Sequence, residues 1–86
     1  MMYKVILLPK AETTFARTDA PLAKKLARCF ESLEVDPLRH PKVKPLTGPL
    51  KGLFRFRAGD YRVIYQIAAN TKTVYVVRIA NRKEAY

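Results

Sequence analysis

The stretch Leu53–Tyr65, L-F-R-F-R-A-G-D-Y-R-V-I-Y, leaves this chain the fewest folding options. Phe54 and Phe56 alternate with Arg55 and Arg57; beyond them Tyr61, Val63 and Tyr65 alternate with Arg62 and Ile64. A period of two marks strands with one buried face, and Ala58-Gly59 between the arms supplies a turn, so the stretch predicts a β-hairpin. Successive side chains of a strand point to opposite faces. If Phe54, Phe56, Tyr61, Val63 and Tyr65 enter a core, Arg55, Arg57 and Arg62 must gather on the other side.

The rest of the chain can be read around that hairpin. Met2 to Leu8 predicts a first strand with Tyr3, Val5 and Leu7 on one face, closed by Pro9. Lys10 to Arg17 predicts a short helix, with Ala11 and Phe15 four apart, that needs packing to persist. Asp19 and Pro21 mark the start of a second helix, in which Leu22, Leu26, Cys29, Phe30 and Leu33 form a continuous apolar stripe. That helix ends near Asp36-Pro37. Pro37, Pro41, Pro45 and Pro49 then exclude helix and imply an ordered, extended connector. Ala69 to Lys72 predicts a turn and Thr73 to Arg82 a last strand, with Tyr75, Val77 and Ile79 on one face and Val76, Arg78, Ala80 and Arg82 on the other. The expected architecture is α+β in the order β-α-α-β-β-β, a small antiparallel sheet with two helices packed on one face, in a single domain over 1–86. Its opposite face is expected to be open and to carry Arg55, Arg57, Arg62, Arg78 and Arg82.

Charge narrows the function. Lys and Arg total 17 against 7 Asp and Glu, a formal net charge of +10, which calls for a polyanionic partner. No apolar run is long enough for a membrane span or a signal peptide, so the chain is expected to be cytoplasmic and free of membrane. The lone Cys29 cannot form an internal disulfide. His40, expected to be solvated in the connector, has no ligating partners grouped near it, so neither metal nor cofactor is expected. Arginines side by side in a sheet repel unless an anion joins them, and the planar guanidinium bonds two phosphate oxygens at once. The five arginines therefore point to an anion site. Lys24, Lys25 and Arg28 form either a plain polar helix face or an RNA-docking surface.

Lys44-Pro45-Leu46 and Gly52, the block Phe54–Tyr65 and the ending Asn81-Arg82-Lys83-Glu84-Ala85-Tyr86 resemble the RelE/ParE superfamily of type II toxins over nearly the whole chain. The most specific parts are R-x-G-D-Y-R-V-I-Y and the terminal [HN]-R-x-E-x-Y. The resemblance implies a basic toxin neutralised by a cognate, RelB-like antitoxin. In the RelE branch the toxin enters the ribosomal A site and cuts mRNA; in the ParE branch it poisons DNA gyrase and cleaves no RNA.

Residue by residue, the resemblance implies that Arg62 contacts the scissile phosphate, that Arg82 is a second catalytic arginine and that Tyr86 is the C-terminal catalytic tyrosine. Arg55 stands where the RelE branch has a lysine. Leu53 stands where it has another, for which Lys51 substitutes if the strand starts with a bulge. Asn81 replaces a histidine of many relatives, which excludes an imidazole acid there. Arg57, Arg78 and Lys44, with Lys24, Lys25 and Arg28, are the candidate RNA-binding residues.

The implied chemistry is metal-free: the ribose 2′-OH attacks phosphorus, a dianionic pentacoordinate species forms, and the 5′-oxygen leaves. Arg62 and Arg82 would hold the non-bridging oxygens. The base is Lys51 or Tyr86, because neighbouring positive charge favours the basic form of either group, and Tyr86 alternatively stacks on a nucleobase. The expected function is a ribosome-dependent mRNA endoribonuclease that inhibits translation. The alternatives are a ParE-like, non-enzymatic gyrase inhibitor and a basic RNA- or ribosome-binding module without activity.

Overall fold

The computed structural model describes residues 2–83. Lys4–Leu7 forms β1, Pro9–Ala16 α1, Ala20–Val35 α2, Val43–Pro45 β2, Phe54–Ala58 β3, Tyr61–Ala68 β4 and Thr73–Asn81 β5, with 3₁₀ turns at Gly48–Leu50 and Ala69–Thr71. The start of α2 follows from its cap: the Asp19 carboxylate accepts a hydrogen bond from the Leu22 N–H at 3.0 Å, and Pro21 occupies the first turn. At the other end Pro37 cannot continue the helix. Asp36 turns instead to accept from the N–H groups of Leu38 (2.9 Å) and Arg39 (3.2 Å). The Leu38 bond is the main reason its carboxyl lies below the usual range.

The strands form one sheet in the order β1-β5-β4-β3-β2. β1 runs parallel to β5 and every other neighbour is antiparallel. The connector expected between α2 and the hairpin contains a strand of its own, β2, at the far edge. Proline at position 45 is compatible with that place, since an edge strand leaves one side of its backbone unpaired. The hairpin turn is shifted by one residue from Ala58-Gly59: Ala58 pairs with Tyr61, so Gly59-Asp60 makes the turn, with Gly59 at φ +64°.

Both helices lie on one face. Ala11 from α1 and Leu26, Cys29 and Leu33 from α2 pack on Phe56, Val63, Tyr65, Val74, Val76 and Ile79, with Tyr3, Val5, Leu7, Phe54 and Tyr61 around them. Tyr65 is fully buried, and its hydroxyl donates to the Pro37 carbonyl at 2.6 Å, which fixes the connector to the core. Burial pushes the Tyr65 phenol up, and it pushes the Cys29 thiol to about 12 against the opposing charge of Lys42. Cys29 is thus a small hydrophobe in the stripe.

Three expectations are corrected here. In β5, Ile64 pairs with Arg78 but Tyr65 pairs with Val76, so Val77 is the extra residue of a β-bulge. The bulge changes the phase of the strand. Val74, Val76 and Ile79 face the helices, while Tyr75, opposite Gln66, and Val77 do not. Second, the face away from the helices is not fully open, because the turn through Gly48–Leu50 folds against it and Ile64 is only 3% exposed. Third, His40 is half-buried, its ring 4.8 Å from that of Phe56, and its Nδ1 accepts from the Lys42 N–H at 3.1 Å. The apolar face of Phe56 at the sheet edge draws the imidazole in.

Candidate nucleic-acid interface

The strand register assembles the site. Across β2, β3, β4 and β5 it lines up Lys44, Arg55, Ile64 and Arg78 in one row, and across β3, β4 and β5 it lines up Arg57, Arg62 and Ala80 in the next. Facing residues on adjacent strands have Cβ atoms roughly 5 Å apart, so these cationic side chains share one patch. Ala80, paired with the half-buried Arg62, has no side chain beyond Cβ and is itself buried. Arg55 Nη1 donates to the Lys42 carbonyl at 3.4 Å, and the Arg57 N–H donates to the same oxygen at 3.1 Å. That contact leans Arg55 toward β2. No Asp or Glu occurs anywhere in β2 to β5. Glu12, Asp19, Glu31, Glu34 and Asp36 all belong to the helical layer, and Asp60 to the hairpin turn.

Arg82 lies one residue beyond β5. Its N–H donates to the Asp60 carbonyl at 2.8 Å, which ties it to the hairpin tip, the end of the sheet where Arg57 and Arg62 pair. Asn81 Oδ1 accepts from the Lys83 N–H at 3.1 Å and so caps this turn. Tyr86, with Glu84 and Ala85 of the same ending, lies outside the described residues.

Lys51 does not take the place expected for it. The pairing of β3 with β4 is regular from Phe54 to Ala58, so no bulge opens the strand. Lys51 ends the 3₁₀ turn, its N–H donating to the Gly48 carbonyl at 3.1 Å, and Gly52 at φ +98° separates it from the strand. Leu53 lines an apolar recess with Leu50, Ile64 and Val77.

Lys24, Lys25 and Arg28 are exposed on α2, on the helical side, and the structure does not bring them to the arginine patch. Lys25 and Arg28 instead border a recess of about 360 Å³ with His40, Lys42 and Phe56, and the Lys25 ammonium reaches over the hairpin turn at Gly59. Lys42 was not singled out by the sequence, and His40 was expected only as a solvated residue of the connector. The signal for them is the β2 register, which only the fold reveals. Among the described residues no three His, Cys, Asp or Glu side chains gather as a metal site, and no helix is long and apolar enough to cross a membrane.

Comparison with known proteins decides the family. The family described as ParE toxin of type II toxin-antitoxin system, parDE, matches residues 5–86. This chain belongs to the RelE/ParE superfamily of type II toxins. The toxin is 37% identical over 76 residues to Toxin RelE of Mycobacterium tuberculosis (strain ATCC 25618 / H37Rv), covering 85% of this chain and 78% of that protein. To Toxin RelG of the same organism it is 36% identical over 80 residues, covering 86% and 90%. Its fold superposes on the toxin-antitoxin complex RelBE2 from M. tuberculosis with a TM-score of 0.83 at 30% identity, over 95% of this chain and 100% of the other. An archaeal RelE-RelB complex from Pyrococcus horikoshii OT3 gives 0.82 at 27% identity, over 99% and 100%. The toxin's two helices and five-stranded, mostly antiparallel sheet are the architecture of these relatives.

Proposed function

We propose that this toxin is a ribosome-dependent endoribonuclease of the RelE kind, which cuts mRNA without a metal and so inhibits translation. The observation that carries the reading is the patch in which Lys44, Arg55, Arg57, Arg62 and Arg78 share one sheet face without a carboxylate in any of its strands. Cations packed this way favour an anionic species, and the dianionic phosphorane formed by 2′-OH attack carries more charge than the diester before it. In this reading Arg62, half-buried opposite Ala80, holds a non-bridging oxygen. Arg82 at the hairpin tip approaches from the end of the sheet. Arg57 and Arg55 position the strand on either side, and Lys44 and Arg78 extend the cationic track.

Proton transfer is assigned to Tyr86 or Lys51, and the regular start of β3 favours Tyr86. The cognate partner is an antitoxin protein, as in the RelBE2 and RelE-RelB complexes that share the fold. The A site supplies substrate alignment, which accounts for ribosome dependence: oriented encounter is worth several kcal/mol. A second reading, a gyrase inhibitor, is favoured by the matched family being that of the ParE toxin and by the absence of a lysine at Leu53. Mapping mRNA 5′ ends on programmed ribosomes, with a gyrase supercoiling assay alongside, separates the two. New ends in the A-site codon support the nuclease, and loss of supercoiling with intact mRNA overturns it.

A further inference from the structure

The apolar recess beside the arginine patch is built by two departures from a plain sheet face, together with Leu53 just before β3. The bulge in β5 adds Val77 out of phase with the core-facing Val74 and Val76. Strand alternation puts Leu53 on the face opposite Phe54, and the 3₁₀ turn folds Pro49 and Leu50 over Ile64. The result is a recess of about 450 Å³ lined by Pro49, Leu50, Leu53, Ile64 and Val77, with Arg78 at its rim. Ile64, its floor, lies between Arg55 and Arg78 in the row of side chains described above.

We propose that this recess is a nucleobase subsite, in which one base of single-stranded RNA lies against Leu50, Leu53, Ile64 and Val77 while its phosphates meet the adjoining arginines. The proposal rests on reading the arginine patch as an RNA site. Charge complementarity selects the occupant. A nucleotide is a flat, largely apolar ring on an anionic backbone, and here an aliphatic slot opens within a cationic field that holds no acidic side chain in its strands. A peptide helix would need apolar contacts repeated along its length. Among the described residues this recess is a single short slot, with Arg78 in its lining and Arg55 one strand away in the same row. The backbone beside it is already paired within β3, β4 and β5, so no added strand can dock there.

The test uses 2′-O-methyl RNA oligonucleotides, which cannot undergo 2′-OH attack, so that binding is read apart from cleavage. One carries 2-aminopurine among ordinary bases; a second has the same backbone and charge but abasic sites. The toxin is expected to bind the base-bearing strand about tenfold more tightly than the abasic one, with the 2-aminopurine fluorescence rising as the base leaves its stacked neighbours for the aliphatic slot. Val77→Phe, which fills the slot and keeps it apolar, is expected to abolish that difference while leaving abasic binding unchanged. Leu53→Ser serves as the second variant.

Equal affinity of the wild type for both strands overturns the proposal, and it needs no variant to fold. A base preference that survives in folded Val77→Phe also overturns it. So does a filled-slot variant whose only loss is affinity for its antitoxin, which assigns the recess to a protein partner. Base-dependent binding together with intact mRNA on programmed ribosomes leaves the subsite standing and removes the nuclease reading.

Discussion

The two faces of the same sheet obey opposite chemical rules. In β4, Val63 and Tyr65 turn to the helices and vanish from solvent, while Arg62 and Ile64 turn the other way, into a cationic patch and an apolar slot. The acidic side chains follow the same division, since those of the helical layer have no counterparts in β2 to β5. One face therefore stores the folding free energy, and the other concentrates positive charge in strands that hold no acidic residue. That separation lets a domain of this size keep a patch that weakens its own sheet through like-charge repulsion.

Substitutions can break the division, and the largest effect is expected on the buried side. Leu26→Ala removes a fully buried side chain from the centre of the α2 stripe. It should cost about 3 kcal/mol, a large part of the stability of a small domain, measurable as a shift in the urea midpoint. Next is Arg62→Ala on the opposite face. Cleavage on programmed ribosomes should fall by about 10² in single turnover, while stability changes by no more than about 0.5 kcal/mol. A variant that cuts at the wild-type rate removes Arg62 from the mechanism.

A smaller cost is expected where the connector is pinned to the core. Tyr65→Phe leaves the Pro37 carbonyl without its 2.6 Å hydrogen bond in a buried place, at about 1–2 kcal/mol by denaturation, with ribosome cleavage at the native temperature unaffected. The smallest effect concerns pH. The Cys29 thiol is raised in the folded state from an ordinary 9.0 to about 12, so folding holds the proton that the unfolded chain gives up. The stability this contributes is complete below about 9 and is lost as pH climbs from there toward 12. Tyr65, raised as well, acts in the same direction. Cys29→Ala should lower stability by a constant amount at neutral pH, through loss of a buried sulfur, and flatten the alkaline limb of a stability-versus-pH curve; an alkaline limb of unchanged slope would refute this account of the thiol.

The parts of this division that follow local rules could be read directly from the residues. The period of two in Phe54–Tyr65 and the spacing from Leu22 to Leu33 each reflect one element against one core, and both predicted their buried sets. The parts that depend on partners far along the chain could not. β2 is three residues long and exists because β3 accepts it in register, so its prolines dominated the reading. The bulge at Val77 was hinted at by the apolar pair Val76-Val77, which no strict alternation explains, but its phase is decided by pairing with β4. Arg55, Arg57, Arg62 and Arg78 were placed on one face by alternation and register alike. Lys24, Lys25 and Arg28 were legible as a helix face, but the recess that Lys25 and Arg28 border with His40, Lys42 and Phe56 was not, because it depends on the pairing of β2.

The parallel pairing of β1 with β5 has a temporal consequence. During synthesis β1 must wait for residues 73–76 before it has a strand neighbour, and β5 is also the strand that supplies Arg78 and Ala80 to the patch. Loop closure of that span is slow relative to local hairpin formation. A nascent chain that stops short of Thr73 holds the β3–β4 hairpin but neither a complete sheet nor a complete cationic face. Completion of the cationic face is thereby tied to closure of the sheet between its most distant segments, because one strand serves both.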